Sequence, residues 1–224
     1  MSISVIIPTL NEAKVIADTI RSLRYQQPGE IIVVDGGSAD ATVAEAKSAD
    51  RVLSASPGRA LQMNAGAAVA TGNILLFLHA DCTLEAGALA HADRLLAKPG
   101  ILAGCFSMSI PADGWPYRLI EASAAARVRL TGLAYGDQGL FLRRADFERL
   151  GGFPPLAFME DVFFSRRLRN HGRVIVSGKK IVVAPRRWQR VGLVRQTLRN
   201  WSLTALAAAG VHPDSMAGFY PGVR

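Results

Sequence analysis

The first hundred residues alternate short apolar runs with segments of helical periodicity, and this alternation constrains the fold more than any other feature. EIIVVD (30–35) and NILLFLHAD (73–81) are apolar runs that end abruptly in Asp35 and Asp81. A short apolar run followed by Gly or Asp is typical of a buried strand at its carboxyl end. Strands and helices alternating at this spacing indicate right-handed βαβ units and a mostly parallel sheet. The predicted fold class is therefore α/β.

The same patterns predict the individual elements. Apolar runs predict strands at residues 4–10, 30–35, 51–55, 73–81, 101–110 and 136–144, and two more within 173–185. Helical spacing predicts helices at residues 11–25, 40–49, 59–70, 84–97, 117–132, 160–171 and 192–209. Asn11 is the predicted N-cap of the first helix, and residues 151–154 are predicted to form a loop.

Composition bounds the class of protein. The length of 224 residues suffices for one domain with a sizeable core, and no Pro-rich or Ser-rich linker divides the chain. Cys82 and Cys105 have neither metal-ligand nor redox spacing, which fits a reducing cytosol. The opening MSISVIIPTLNE lacks the basic region of a signal peptide, and no run of about 18 apolar residues predicts a membrane span. We therefore expect a cytoplasmic protein.

The net charge of +8 is unevenly distributed. Residues 143–224 carry +10, whereas residues 1–142 carry −2. A basic surface of this kind can meet phosphates, nucleic acid or an anionic membrane, or can simply be solvated. In the predicted last helix, apolar positions share one face with arginines beside it, which would suit a membrane interface. Packing of that face on the domain is the alternative.

Acidic residues stand where ligands bind in open α/β sheets, outside the carboxyl ends of strands. Asp35 and Asp81 end strands, and Glu160 with Asp161 brings a further acidic site. A single Asp there can hold a divalent cation, since Mg²⁺ typically takes one or two carboxylates plus substrate phosphate and water. His79 lies on the same side as Asp81 if the strand pattern persists. It either contacts the metal or merely packs. These acids predict a metal and a phosphate-bearing substrate.

Other polar residues near the strand ends have two interpretations each. Thr9 and Glu12 could hold a base or a ribose. Alternatively, Asn11 could cap the helix and Glu12 could be a first-turn acid that the helix dipole favours. Asp35 could accept hydrogen bonds from a nucleoside beside glycines that allow close approach, or could form a turn. Arg59 could reach a phosphate at a helix N-terminus, or could belong to a plain amphipathic helix.

Two adjacent acids open a predicted helix within the apolar segment FMEDVFF (158–164). Apolar neighbours desolvate a carboxylate and raise its pKa, as a general base needs. The alternative is an ordinary first-turn acid that the helix dipole stabilises. The sequence therefore predicts a base at Glu160 or Asp161.

Taken together, PTLNE, VVDGGSADAT, QMNAG, LHAD, GGF and ED resemble the motifs of the family-2 glycosyltransferases, which have the GT-A fold. They occur in family order and cover residues 4–169. The resemblance implies a Rossmann-like, mostly parallel central sheet flanked by helices. GDQG, RRWQRVG and GVHPD also look like a small bacterial subgroup associated with radical-enzyme and selenodomain proteins.

The resemblance implies a role for each matching residue. Asp161 would deprotonate the acceptor hydroxyl, with Glu160 as the second candidate. Asp81 would bind Mg²⁺ or Mn²⁺ together with the diphosphate, and His79, which replaces the first Asp of the family's D-x-D motif, is a further candidate ligand. Donor binding is implied for Pro8, Thr9, Glu12, Asp35, Gly37, Arg59, Asn64, Ala80 and Asp81. Acceptor binding is implied for Asp137, Gln138, Arg187 and Trp188.

We therefore predict a metal-dependent, inverting glycosyltransferase of the hexosyltransferase type. Its partners would be a nucleotide-sugar donor and a small-molecule or lipid-linked acceptor, with no nucleic acid, and it could associate with the inner face of a membrane. Residues 1–100 would form the nucleotide-sugar-binding half, 101–185 the acceptor and catalytic half, and 186–224 a basic C-terminal helix and tail. The alternatives are a sugar-phosphate nucleotidyltransferase, whose Gly-rich basic loop PTLNE lacks, and a catalytically silent nucleotide- or membrane-binding module.

Overall fold

The computed structural model describes residues 2–184 and the single positions 192, 199, 202, 203, 206 and 211. Most of the predicted last helix (192–209) lies outside the described residues, as do Arg187 and Trp188. Within the described part, the chain folds into one eight-stranded sheet with helices on both of its faces.

The sheet combines a parallel half with a mixed half. Its strands are β1 (Ile3–Thr9), β2 (Glu30–Asp35), β3 (Arg51–Ser54), β4 (Ile74–Phe77), β5 (Cys82–Leu84), β6 (Ile101–Ser109), β7 (Leu140–Arg143) and β8 (Arg173–Val183). Their order is β3-β2-β1-β4-β7-β6-β8-β5. β7 runs antiparallel to both of its neighbours and β5 runs antiparallel to β8, while every other described pairing is parallel. The predicted α/β class with a mostly parallel sheet is confirmed.

Seven α-helices connect or flank these strands within the described residues. They are α1 (Ile16–Arg24), α2 (Thr42–Glu45), α3 (Arg59–Val69), α4 (Ala88–Leu96), α5 (Trp115–Thr131), α6 (Arg144–Arg149) and α7 (Glu160–His171). Short 3-10 helices lie at Ala46–Ser48 and Gly136–Gln138. The bounds of α7 are those that its sequence pattern predicts.

The core has two layers because successive side chains of a strand point to opposite faces of the sheet. In β1, Val5 and Ile7 join the layer under α1 and α4, whereas Ile6 joins the layer under α3 and α7. α5 reaches both layers, since Ile120 packs in the first and Val128 in the second. The near-continuous apolar runs of the central strands are explained by this burial on both faces.

The first predicted helix begins later than expected, and Asn11 does not cap it. α1 begins at Ile16, and Asn11 has a positive φ of 57°. The Asn11 side-chain oxygen accepts a hydrogen bond from the backbone N–H of Ala39 at 2.9 Å. The amide is thus used to fasten the loop after β2, so the helix has to start beyond it.

The predicted strand 73–81 is also shorter than expected. β4 ends at Phe77, and the backbone N–H of Cys82 donates to the carbonyl of His79 at 3.2 Å, which closes a turn. His79 and Asp81 therefore lie on a turn rather than on one side of a strand. β5 follows at once and crosses to the far edge of the sheet.

The segment 173–185 forms one strand rather than the predicted two. β8 continues through an irregularity in which Cys105 and Ser107 of β6 face Val176 and Lys180. The extra residues are held locally, because the Ser107 hydroxyl donates to the carbonyl of Ser177 at 2.7 Å. A bulge absorbs the Ser-Gly segment that looked like a break between strands.

Candidate active site

The carboxyl ends of β1, β2 and β4 meet at one edge of the sheet, and the predicted donor residues emerge there. Thr9 and Asp35 are register partners at the ends of β1 and β2. The turn that contains His79, Ala80 and Asp81 follows β4, which is the other neighbour of β1. Parallel pairing thus brings together loops that are far apart in the chain.

Asp35 forms a turn, which was the alternative to nucleoside binding. Its side chain is buried, and Oδ2 accepts hydrogen bonds from the backbone N–H groups of Gly37 (3.0 Å) and Ser38 (2.8 Å). Oδ1 accepts from the hydroxyl of Ser38 at 2.5 Å and from that of Thr9 at 3.2 Å. The carboxylate is therefore fixed by its own turn, and a nucleoside contact by Asp35 stays a prediction.

The loop after β1 is tied to the loop after β2. The backbone N–H of Asn11 donates to the hydroxyl of Ser38 at 2.8 Å, and that of Glu12 donates to the hydroxyl of Thr42 at 2.7 Å. Pro8 is buried within β1. These bonds bring Glu12 close to the Asp35 turn. The residues Thr9, Glu12 and Asp35, with the backbone of Gly37, therefore form one edge of the site, which we call the donor rim.

Gln62 of α3 fastens this rim to the helix behind it. Its buried Nε2 donates to the carbonyls of Thr9 and Val34, both at 2.8 Å. A Cβ on Gly36 would lie 3.0 Å from that nitrogen, which is tighter than an ordinary contact, so a larger residue there would push the Gln62 amide aside. These hydrogen bonds of Gln62 were not predicted from the sequence. The available signal was a long polar residue on a helix that is otherwise rich in Ala and Gly.

Asn64, a predicted donor-binding residue, instead holds the GGF loop (residues 151–153). Its Nδ2 donates to the carbonyl of Phe153 at 2.9 Å, and its Oδ1 accepts from the backbone N–H of Phe153 at 3.0 Å. A Cβ on Gly152 would lie 2.8 Å from that Oδ1. Both ends of the amide are used by this loop, and the donor role of Asn64 stays a prediction.

Arg59, predicted to meet a phosphate, pairs with a buried acid. Its Nε lies 2.9 Å from Oε1 of Glu160, whose side chain is only 2% exposed. Burial, and secondarily the charge of Asp161, raises the pKa of Glu160 to about 7, although Arg59 opposes the shift. Glu160 Oε2 is buried, and it has no hydrogen-bond partner among the described residues. The predicted desolvation by apolar neighbours therefore acts on Glu160.

Asp161 lies beside the turn of His79, with Gly136 between them. Asp161 Oδ2 accepts a hydrogen bond from the backbone N–H of Gly136 at 2.5 Å, and Oδ1 accepts from that of Val162 at 2.7 Å. A Cβ built on Gly136 would lie 2.9 Å from His79 Nε2 and 3.3 Å from Asp161 Oδ2. The candidate base and the candidate metal turn thus meet across one glycine, and this contact was not predicted from the sequence.

Gln138, a predicted acceptor residue, is turned into the protein. It is fully buried, and its Oε1 accepts from Nη2 of Arg127 at 2.5 Å. The Arg127 guanidinium in turn lies 3.3 Å from the ring centroid of Tyr135. An acceptor could therefore reach the backbone of this turn, or Asp137, which is partly exposed. It could not reach the Gln138 amide.

The described residues contain no cluster of three His, Cys, Asp or Glu side chains that could hold a metal by themselves. Asp81 is partly exposed, and the Thr19 hydroxyl holds its turn by donating to the carbonyl of Ala80 at 2.5 Å. Burial, and then the charges of Asp81 and Asp137, raise the pKa of Cys82 well above its ordinary value. One carboxylate in an open turn fits a cation whose shell substrate phosphates and water complete.

Comparison with known sequences matches more than half of the chain to one family. Residues 4–151 match the family described as Glycosyl transferase family 2. The PGL/p-HBAD biosynthesis glycosyltransferase of Mycobacterium bovis (strain BCG / Pasteur 1173P2) is 41% identical over 110 residues, covering 42% of this chain and 41% of that protein. A protein of the same name from Mycobacterium tuberculosis (strain ATCC 25177 / H37Ra) matches to the same extent. The chain thus spans about two fifths of the length of the curated relatives it matches.

Solved structures share the fold. S. aureus TarS 1-349 in complex with UDP-GlcNAc superposes with a TM-score of 0.66 at 22% identity, covering 82% of this chain and 58% of that one. Glucosyl-3-phosphoglycerate synthase from Mycobacterium tuberculosis, with Mn²⁺, UDP and glucosyl-3-phosphoglycerate, gives 0.59 at 22% identity over 94% of this chain and 81% of that one. The predicted GT-A fold is confirmed.

Proposed function

The chain is a member of glycosyl transferase family 2, and on that premise we propose that it moves a sugar from a nucleoside-diphosphate sugar to an acceptor hydroxyl. The observation that carries the proposal is the position of Asp161, held by Gly136 beside His79 at the carboxyl edge of the sheet. That edge is where open α/β sheets bind their ligands.

In the proposed reaction Asp161 is the general base. The acceptor oxygen attacks the anomeric carbon while its proton passes to the Asp161 carboxylate, and the bond from that carbon to the diphosphate oxygen breaks on the opposite face. The result is inversion at the anomeric carbon. Hydrogen bonds from Gly136 and Val162 hold both carboxylate oxygens, so the base is oriented before the acceptor arrives.

Asp81, with His79 in the same turn, is proposed to hold a divalent cation, Mg²⁺ or Mn²⁺. When bound there, the cation would neutralise negative charge on the diphosphate as it leaves. The support is the open single-carboxylate turn, together with Mn²⁺ in the similar structures of GalNAc-T7 and glucosyl-3-phosphoglycerate synthase.

A nucleoside-diphosphate sugar is the proposed donor because similar structures hold UDP-GlcNAc or UDP. Its nucleoside would meet the rim of Thr9, Glu12 and Asp35, with the backbone of Gly37 close by. The acceptor is proposed to be a small or lipid-linked molecule. The name of the mycobacterial relative, which refers to PGL/p-HBAD biosynthesis, gives partial support.

The location of the protein is also a proposal. None of the helices among the described residues combines the length and apolar character needed to cross a bilayer. We propose a cytoplasmic enzyme that can associate with the inner face of a membrane. The basic segment 186–224 would contribute arginines to that contact.

The test begins with a thermal-shift screen over nucleotide sugars, with and without Mn²⁺, because a ligand selective for the folded state raises the melting temperature. The responding donor is then used to measure transfer and donor hydrolysis. Asp161→Asn should keep the thermal response and lose transfer by at least about a hundredfold, the scale of general-base catalysis. Asp81→Ala should lose the Mn²⁺-dependent part of the response.

Two outcomes would contradict the proposal. Asp161→Asn with parental turnover would remove the base from this residue and leave Glu160 as the next candidate. A chain that binds a donor and neither transfers nor hydrolyses it would instead be a silent nucleotide-binding module.

A further inference from the structure

A strip of apolar side chains runs along the outer face of α5. Trp115, Leu119 and Leu130 are 76%, 57% and 80% exposed, and the exposed Ala122 and Ala126 lie between them. Helical geometry places these five residues within an arc of about 80° and along about 22 Å of the helix. We name these five residues the α5 strip.

Among the described residues, the strip takes no part in the packing of the domain. The buried residues of α5 are Ile120, Ala124 and Val128, which lie on the opposite side of the helix and join the two core layers. The other large exposed apolar residues of the described chain are Tyr25, Val43, Leu61 and Leu206, and none of them belongs to α5. Scattered exposed apolar residues are ordinary, but a contiguous strip marks an interaction surface.

Positive charge borders the strip at its C-terminal end. Arg129 of α5 is exposed, and so are Arg166 and Arg169 of α7. The two helices meet there, since a Cβ built on Gly132 would lie 3.3 Å from the Cβ of Arg169. The one carboxylate of α5, Glu121, has a side chain only 17% exposed. The outer face of the helix therefore combines apolar and basic groups.

We propose that the α5 strip docks the protein on the interface of an anionic lipid bilayer. An amphipathic helix with Trp and Leu on one face and arginine beside them lies in the plane of such an interface. Trp115 would sit at headgroup depth, where indole rings are favoured. Arg129 and Arg169 would meet the anionic head groups. Asp113, an exposed carboxylate, lies just before the N-terminus of α5, at the end of the strip away from these arginines.

A second copy of the chain fits this surface less well than a bilayer does. A standard protein interface takes about 20–30 residues from each partner around a packed centre. The strip is one helix wide, and its large side chains are separated by alanines. A bilayer needs only that these side chains insert, and it complements the arginines with negative charge.

The segment that follows α5 connects the helix of the strip to the proposed active site. Arg127 lies on α5 and stacks over the ring of Tyr135. The next residue, Gly136, holds Asp161. Docking through the strip would bring the acceptor side of the site to the bilayer surface. This consequence rests on the proposed transferase function, whereas the docking itself does not.

Flotation of the full chain with vesicles tests the docking. We expect binding to vesicles of equal parts phosphatidylcholine and phosphatidylglycerol, weaker binding at high salt, and little binding to phosphatidylcholine alone. The triple variant Trp115→Ser/Leu119→Ser/Leu130→Ser should bind at least about a hundredfold more weakly. Its matched control, Tyr25→Ser/Val43→Ser, removes exposed apolar residues elsewhere and should bind like the parent.

The basic border is tested in the same assay. Arg129→Gln/Arg169→Gln should weaken binding by about twenty-five-fold, at about fivefold per arginine. Its control, Arg94→Gln/Lys98→Gln, removes two exposed charges from the region of α4 and should leave binding unchanged. All of these positions are exposed. Melting temperatures near that of the parent will show that each variant is folded.

Insertion is measured on Trp115 itself. The chain has three tryptophans, so Trp188→Phe/Trp201→Phe leaves Trp115 as the only reporter. Lipids brominated on their acyl chains should quench it. Each of three results would overturn the proposal: a parent that stays unbound, a strip variant that binds like the parent, or a parental dimer that the strip variant converts to monomer with unchanged vesicle binding. No donor is present, so these outcomes leave the transferase proposal untouched.

Discussion

Glu160 and Asp161 are neighbours in the chain, yet the fold gives them opposite environments. Glu160 points inward to Arg59, and its other carboxylate oxygen has no partner in the part of the chain that the structure describes. Asp161 stays partly exposed, and main-chain N–H groups hold both of its oxygens. A sequence pattern can place two acids at the start of a helix, but it cannot say which of them faces the cleft, because that depends on how the helix is rotated against the sheet.

The raised pKa of Glu160 predicts how stability depends on pH. The folded state binds this proton more tightly than the unfolded state, because its pKa is about 7 against an ordinary value of 4.5. The group therefore lowers the free energy of unfolding as the pH rises from about 4.5 to about 7, by up to about 3 kcal/mol. Glu160→Gln cannot ionise, so this decrease should largely disappear. Urea unfolding at the two ends of this pH range measures it.

Glu30 provides a control of opposite sign. Although burial raises its pKa, hydrogen bonds from Ser4 and Thr71 bring the pKa below its ordinary value. Glu30 therefore adds stability at neutral pH that is lost as the pH falls below about 4.5. Glu30→Gln should lower stability at neutral pH and leave the Glu160 effect in place. A Glu160→Gln variant with the parental pH dependence would contradict the assignment.

Gly136 offers a steric test of the active-site geometry. Gly136→Ala adds a Cβ 2.9 Å from His79 Nε2 and 3.3 Å from Asp161 Oδ2, so one or both side chains must move. We expect transfer to fall by about ten- to a hundredfold, since small displacements of catalytic groups cost this much. Gly178→Ala is the matched control, because its Cβ would meet nothing within 4 Å. Equal activities of the two variants would argue against a site at Gly136.

At the scale of elements, the sequence pattern predicts the helices and strands whose positions depend on the burial of their own residues. β2 and α7 are found at the predicted residues because each has a strong period and a clear boundary. β5 was missed, since its three residues have no period of their own and become a strand only by pairing with β8. The site follows the same rule. Strand-end acids were found from sequence, whereas Gln62 and Gly136 act through contacts that only the fold creates.

Gln62 makes a prediction about how α3 supports the donor rim. Gln62→Leu removes two hydrogen bonds to the carbonyls of Thr9 and Val34, which should lower the free energy of unfolding by about 1–3 kcal/mol. It should also weaken donor binding, because the ends of β1 and β2 are no longer fixed. Denaturant unfolding and a donor titration measure the two effects separately.

Gln26 is the matched control for Gln62. It also bridges backbone groups, donating to the carbonyl of Leu84 at 3.2 Å and accepting from the N–H of Ala88 at 3.0 Å. Those partners lie around β5 and α4, away from the donor rim. Gln26→Leu should therefore lose stability and keep donor affinity. If both variants weaken the donor equally, the effect is general destabilisation rather than loss of the rim.

At the scale of the whole molecule, the sheet interleaves the two predicted halves. β5 belongs by sequence to residues 1–100, yet it pairs with β8 at the far edge of the sheet. β4 of the first half pairs with β7 of the second. Arg59 and Glu160 also join the halves. The division at residue 100 is therefore a proposal about function, and the fold provides no matching break in structure.

Interleaving predicts that the described domain unfolds as one cooperative unit. Removing the second half would leave β5 without its partner β8 and β4 paired only with β1, so the first half would lose the contacts along one whole edge of its sheet. In native-state hydrogen exchange, the slowest amides of β1 and β6 should therefore open with the same free energy and the same denaturant dependence. Asn64→Ala, which loosens only the GGF loop, serves as a comparison. It should lower the opening free energies of both strands by the same amount, because both report the stability of the whole domain. If the amides of β1 and β6 instead open with two different free energies, the halves are independent folding units. The pairings β4/β7 and β5/β8 would then contribute little to the stability of the sheet.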